Sequence, residues 1–419
     1  MRTTGGAFVA FGIRVASILF FLNFQVLASS PPTGHFHVPD ATQVVGGPTY
    51  LEFEVVNNGA QPLFIRIANP LSPCAGYVFR IEGEDRADGT CDGRSGYSCL
   101  SSTIKLAPGG KTSQRVLLNY YYVLPHPGRY RVHAERSVTW WTTDEDWGRE
   151  QQQQKVFEED VELELKPAGP SELHAAFEPY MKALASTDEQ THSDALQALI
   201  LLAPQFLEGM FIKMLDSDEW GSALVGLRHL NSPRAREALA KIAEFGVQAK
   251  PDADDFEKAE RPTEQGIALK YLGEMGDLAY FPLLLKTTQD APLESQTRIY
   301  GTLAVAQLGG QDALPFLVSE SRASTKGQRI QGAVAIGFTV SRDAVPVLID
   351  LLQSPEEDVR QVAENGLEML THRAATATGD ISGTDAVSLY STWHNWWESS
   401  NAGAQIYGAR DCGEKLLIN

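Results

Sequence analysis

The chain has 419 residues, 43% of them hydrophobic and 21% charged, which suits a soluble globular protein with room for two or three separate cores. The formal net charge is -18 and no run of five or more basic residues occurs. Both facts argue against a nucleic-acid partner, which needs clustered Lys and Arg to meet phosphates.

Residues 1–28 read as a secretory signal peptide. Arg2 lies in a short polar start, Val15 to Phe24 is apolar, and Val26-Leu27-Ala28 offers the small residue accepted before a cut. The apolar stretch falls short of the roughly 20 residues that span a bilayer, and Arg14 interrupts any longer count. An uncleaved N-terminal anchor is the alternative. The expected mature protein is secreted or periplasmic and has no membrane span.

Cys74, Cys91, Cys99 and Cys412 suit that compartment as disulfide candidates. Four cysteines allow three pairings. A local Cys91–Cys99 bridge across DGRSGYS would leave Cys74 and Cys412 to tie the C-terminal tail back. The CxxC spacing of a zinc site is absent.

From Phe36 to Pro167 the pattern is that of an all-β domain. Tyr50 to Asn57 (YLEFEVVN) alternates and ends in the turn residues Asn57-Asn58-Gly59. Leu63 to Ala68 and Tyr77 to Glu82 follow as strands. Ile104 to Leu106, Ala107-Pro108-Gly109-Gly110 and Arg115 to Leu118 read as strand, hairpin turn, strand. Arg129 to Thr139 and Val156 to Leu165 complete the set. Leu51, Phe53, Val55, Tyr130 and Val132 are the expected core. The opening strand with its NNG, the APGG turn and the PGRYRV start of a late strand resemble bacterial immunoglobulin-like modules. That resemblance implies a β-sandwich and no activity.

After the hinge at Pro167 to Pro170 the period becomes helical. Blocks at Ala223–Leu239, Ala268–Leu284, Thr302–Leu317 and Ala333–Leu348 resemble one another, and Pro282, Pro315 and Pro346 recur 33 and 31 residues apart. Proline is tolerated at a helix start, where its missing N–H has no intrahelical partner. A repeat of this length implies stacked helix pairs, none of which buries its apolar face alone. The wording ALxxLGxxGDxxxxPLL, with SPEEDVRQVAENGLEML at Ser354 to Leu370, is similar to the HEAT repeat family, closest to its short bilin-lyase-like variety. The similarity covers Ala195 to His372. It implies an armadillo-type solenoid at 171–373, usually a protein-binding scaffold and in a few members an aid to chromophore attachment. Gly246 to Pro262 reads as a polar insertion. In the C-terminal segment 374–419, Asp385 to Trp397 reads as a helix that caps the last repeat.

Several fragments tempt as chemistry. Gly109-Gly110-Lys111-Thr112 lacks the first glycine of a phosphate-binding loop, since position 105 is Lys105, and it sits between strands. Ser102-x-x-Lys105 matches a serine-enzyme spacing but lies in a strand pattern. His35-x-His37 lacks a third metal ligand and falls in what reads as a flexible N-terminus. Glu84, Asp85, Asp88 and Asp92 do not fit a calcium-loop spacing. Neither G-x-S-x-G nor H-E-x-x-H occurs. His229 reads as a satisfied residue of a repeat.

The sequence therefore points to a multidomain, exported, non-catalytic binding or scaffolding protein: an immunoglobulin-like sandwich followed by a HEAT-like solenoid. No cofactor, metal or catalytic residue is nominated, and the expected partner is a protein. Tyr121, Trp140, Trp141 and Trp147 in the β half, with Trp393 and Trp397 at the end, are the candidate binding surface, because large aromatics anchor interfaces. The competing readings are an enzyme or lyase-type chaperone with an inter-domain pocket, and a carbohydrate-binding sandwich.

Overall fold

The computed structural model describes residues 31–39, 42–70, 75–82, 101–142, 152–246, 255–376, 381, 383–400, 403–409 and 415–418. The proposed signal peptide, all four cysteines, the acidic loop of Glu84 to Asp92, and Trp147 lie outside these residues.

The N-terminal region is β-rich. Its strands are β1 (Thr33–His37), β2 (Gln43–Val44), β3 (Tyr50–Val56), β4 (Leu63–Ala68), β5 (Tyr77–Ile81), β6 (Ser101–Leu106), β7 (Lys111–Leu117), β8 (Gly128–Trp141) and β9 (Gln153–Lys166). One sheet runs β1-β3-β7 and the other β2-β9-β8-β4-β6, with β5 also on β8. Strand β8 pairs with β9 from Gly128↔Leu165 to Trp140↔Gln153. Its other edge is divided between β5, at Val132 to Arg136, and β4, at Trp140 and Trp141. A strand that serves two neighbours in succession must follow the sheet's twist, so this sheet curls around the core. Alternation decides what is buried. Leu51, Phe53 and Val55 from β3 meet Tyr130, Val132, Val138 and Trp140 from β8 in one cluster between the sheets.

Two sequence expectations change here. The segment with His35 and His37 is β1, held antiparallel to β3 by the register Thr33↔Val56 to His37↔Glu52. The APGG turn also does not close a hairpin, because β6 pairs with β4 and β7 with β3. The chain crosses there from one sheet to the other. Asn57, fully buried, holds this corner: its side-chain amide donates to the carbonyls of Gln61 (2.9 Å), Leu106 (3.1 Å) and Ala107 (3.1 Å). Its carbonyl side-chain oxygen accepts from Gly59 N at 2.9 Å. Two turns distant in sequence are thereby locked to each other.

The helical region comprises α1 (Pro170–Ala183), α2 (Glu189–Leu202), α3 (Glu208–Met214), α4 (Trp220–Leu230), α5 (Pro233–Phe245), α6 (Asp255–Glu274), α7 (Phe281–Asp290), α8 (Gln296–Gly309), α9 (Leu314–Glu320), α10 (Lys326–Gly337), α11 (Ala344–Leu351), α12 (Glu357–Thr371) and α13 (Ala386–Ser400). Local signals explain many boundaries. Asp188, Ser232, Ser295 and Thr325 each accept a backbone N–H of the first turn. Pro282 and Pro315 take the second positions of α7 and α9, and Pro346 the third position of α11. The even-numbered helices α4 to α12 pack in succession as one layer, and helices such as α3, α5 and α7 form the other. One continuous apolar cluster runs from Phe177 to Ile406. The polar block expected as an insertion is divided: 255–262 already belong to α6, and 247–254 lie outside the described residues. Gly337 and Gly366 let α10 and α12 touch, since a Cβ on Gly337 would lie 3.0 Å from the Gly366 Cα.

A further device repeats with the helices. Arg298 and Arg329, 31 residues apart, each reach back to carbonyls behind them and forward to one carboxylate. Arg298 donates to the carbonyls of Thr288 (2.8 Å), Gln289 (2.7 Å) and Ala291 (3.3 Å), and holds Glu320 in a two-pronged pair at 3.1 and 2.7 Å. Arg329 donates to Ala323 O and Ser324 O and grips Glu356 at 2.7 and 2.6 Å. Arg360, again 31 residues on, bonds Ser354 O at 2.8 Å. Its buried Nε has no partner among the described residues.

The array ends under α13. Trp393 is fully buried, and its indole N–H donates to Glu364, which also accepts from Ala375 N at 2.7 Å. Burial holds the Glu364 carboxyl above its ordinary range, outweighing these two bonds. A hairpin of β10 (Ile406–Ala409) and β11 (Lys415–Ile418) follows, with Tyr407 stacked on His372 at 3.6 Å.

Candidate binding cleft between the β-rich region and the first helices

The two regions meet where β2 and β3 lie against α1 and α2. Gly46 (φ +78°) and Gly47 turn the chain between β2 and β3. A Cβ on Gly47 would come within 3.0 Å of Val44 and 3.4 Å of Ala176 on α1, so glycine permits the approach. Gln43, itself buried, donates to Tyr50 O at 3.0 Å and accepts from Tyr50 N at 2.8 Å. These paired bonds fix the start of β3 and thus the Tyr50 ring.

Tyr50 stacks on Tyr180 of α1 with centroids 6.1 Å apart and planes 13° from parallel. Leu117, Ala198 and Leu201 complete a small apolar cluster that joins the two regions. Arg115 of β7 lies diagonally across from Tyr50 and sets its guanidinium over the ring at 4.2 Å. Its direct cross-strand neighbour Glu52 pairs instead with His37, at 3.7 Å.

Beside this contact lies a cleft of about 630 Å³, a size that takes a small ligand or a short stretch of chain. Its walls include Pro39, Pro48 and Pro179, the Tyr50–Tyr180 pair, and Ala175, Ala176 and Ala183. Arg115 supplies a cation on the β side, and Asp194 of α2 supplies an anion on the helical side. Asp194 keeps much of its surface exposed, yet loss of water beside the cleft wall raises its carboxyl above the ordinary aspartate range. The Gln190 amide, donating at 2.6 Å, and the Arg115 charge pull the other way. Burial, then the neighbouring Tyr180, pushes the Tyr50 hydroxyl well above its usual value. The Tyr50 hydroxyl therefore keeps its proton in the ordinary pH range, and the cleft combines aromatic walls with one charge of each sign.

The aromatic residues singled out from sequence are placed differently. Trp140 is 2% exposed within the β core, and Trp393 and Trp397 are packed under the last repeat. Alternation along β8 points Trp140 inward, and the i, i+4 spacing of Trp393 and Trp397 faces both toward the array. Tyr121 donates to Pro70 O at 2.8 Å and sets its ring edge against Phe79 at 4.9 Å. Trp141 is half-exposed and stacks on Phe64 at 6.2 Å. His35 and His37 face different carboxylates, Glu159 at 4.0 Å and Glu52 at 3.7 Å. His229 meets Ile200 O at 2.7 Å, and burial lowers its pKa. Ser102 and Lys105 lie on β6.

The cleft residues carried no local signal in the sequence. Tyr50, Arg115, Tyr180 and Asp194 come from four separate elements, and only packing of the two regions brings them together.

No protein-family model matches the chain, and no curated protein matches it. Among solved structures, the complex of CpcE and CpcF of phycocyanin lyase from Nostoc sp. PCC7120 is similar at 18% identity, with 52% of this chain and 83% of that chain covered and a TM-score of 0.29. The YibA protein of Escherichia coli aligns at 15% identity over 49% of this chain and 77% of that one, also with a TM-score of 0.29. Native alpha-2-macroglobulin from Escherichia coli, from domain MG7 to the C-terminus, aligns at 14% identity over 93% of this chain and 69% of that one, with a TM-score of 0.18.

Proposed function

We propose that this protein is an exported, non-catalytic binding or scaffolding protein that receives its partner in the cleft between the β-rich region and α1–α2. One observation carries the reading: two stacked tyrosines and three prolines wall a cleft with an unlike charge on each side. Rigid aromatic and proline surfaces bury area with little loss of side-chain freedom, which favours recognition. Export rests on the N-terminal signal pattern and on the even cysteine count.

An immunoglobulin-like sandwich is the finer reading of the β-rich region. It is supported by the split into β1-β3-β7 and β9-β8-β4-β6, with β2 running parallel to the end of β9. A HEAT-like solenoid is the finer reading of the helices, supported by the two helix layers and the 31-residue arginine spacing.

The test is site-specific photocrosslinking in the native envelope fraction. A photoreactive residue at Ala183, on the cleft wall, is compared with one at Val156, exposed on β9. A discrete partner captured at position 183 and not at 156 supports the reading. Capture only at 156 refutes it.

A further inference from the structure

We infer that the cleft recognises a peptide through a carboxylate, bound by Arg115 at its rim while the chain beside it lies against the tyrosines and prolines. This rests on the cleft being the partner site and adds what the partner must present there.

The chain carries 53 acidic residues against 35 basic ones, and Arg115 is the cation on the wall of this cleft. Many other arginines of this protein are paired: Arg80 with Glu135, Arg131 with Asp160, Arg228 with Glu274, Arg236 with Asp277, Arg298 with Glu320 and Arg329 with Glu356. The Arg115 side chain makes no ion pair or hydrogen bond among the described residues. Glu52 across the strand is turned to His37, and Asp194 faces the cleft without reaching ion-pair contact. The guanidinium instead lies over the Tyr50 ring, 4.2 Å from its centre. Contact with the ring limits where the guanidinium sits, and its N–H donors have no side-chain or carbonyl partner among the described residues, which leaves them for two-pronged capture of a carboxylate.

The opposite wall is consistent with a peptide. Asp194 and Thr191 offer oxygen acceptors to backbone N–H donors, while Pro39, Pro48, Tyr50 and Tyr180 offer apolar surface to alternating side chains. A bare inorganic anion would use Arg115 and leave these walls unused. The cleft volume accommodates a few residues of extended chain. The carboxylate has two possible sources in a polypeptide: the C-terminus, or an Asp or Glu side chain.

The experiment uses the full mature chain and four pools of fluorescein-labelled random heptapeptides, read by anisotropy. Two pools contain no acidic residue and end in either a free carboxylate or an amide. The other two are amidated and carry a fixed central Glu or Gln. The expected result is at least tenfold tighter binding of one carboxylate-bearing pool than of its neutral match. Arg115→Met should abolish that preference and Arg115→Lys should restore part of it, both with an unchanged melting temperature because the side chain is exposed. The free-acid and Glu pools distinguish the two sources. Equal binding of matched pools, no binding by any pool, or a preference that survives Arg115→Met overturns the inference. A partner still crosslinked at position 183 after such a result would leave the cleft as the binding site and remove only the carboxylate.

Discussion

Replacing Arg298 by Met tests whether the buried arginine–carboxylate staple holds the helix pairs together. Arg298 and Glu320 keep 11% and 6% of their side-chain surface in contact with solvent. The substitution leaves Glu320 with Gln328 as its remaining donor, at 2.7 Å, and frees three carbonyls at the end of α7. Breaking one side of a buried pair typically costs about 3–5 kcal/mol, because the surviving charge stays desolvated. Removing both partners is far milder, since apolar side chains of similar volume fill the same space. The expected loss is therefore about 3–5 kcal/mol for Arg298→Met and distinctly less for Arg298→Met with Glu320→Leu. Urea unfolding followed by far-ultraviolet circular dichroism of the helices measures both. A loss under about 1 kcal/mol for the single variant refutes the reasoning, as does a double variant no better than the sum of its singles.

Asn57→Ala removes three donated bonds and exposes buried carbonyls at the sheet-to-sheet corner. It should cost about 2–4 kcal/mol in denaturant unfolding, whereas Asn58→Ala, at the exposed neighbour, should cost far less. Glu364 has a raised pKa in the folded state, so the folded form holds its proton to higher pH than the unfolded form does. Its contribution to stability is greatest below the ordinary glutamate value of about 4.3 and declines as pH rises through the folded pKa. Glu364→Gln should flatten that decline in melting temperature measured from acid to neutral pH; an unchanged slope would assign it to other groups. Trp140→Ala should cost about 3–5 kcal/mol and Trp141→Ala markedly less, as their 2% and half-exposed positions dictate. Equal losses in a denaturation assay would contradict that placement.

The strands of β3, β4 and β5 were legible because alternation and turn residues are local signals, and the same holds for the proline-marked starts of α7, α9 and α11. Pairing was less legible. The APGG turn looks the same whether it closes a hairpin or carries the chain between sheets, and only the partners of β6 and β7 decide. Strand β2, two residues long, carries too little pattern to be read. Aromatic density misled the choice of binding residues, because Trp140 and Trp393 are equally good core. Arg298, Arg329 and Arg360 stood at an even 31-residue spacing in the sequence, and comparing polar as well as apolar positions between blocks would have exposed them. The cleft had no such handle, since Tyr50 and Tyr180 are 130 positions apart.

The arginine staple gives the array a direction of growth. Each guanidinium closes the seam behind it and also fastens the end of its own pair, so a unit is complete only when the next carboxylate is present. A deletion of residues 299–329 would leave one arginine with the carbonyls that Arg298 now holds and hand it the Glu356 that Arg329 now grips. A deletion that removes Glu320 while keeping Arg298, without bringing Glu356 into its place, would leave Arg298 without its carboxylate. The helix pairs are thus exchangeable at this seam only in whole units, and Arg360, which pairs with no carboxylate among the described residues, carries the seam no further.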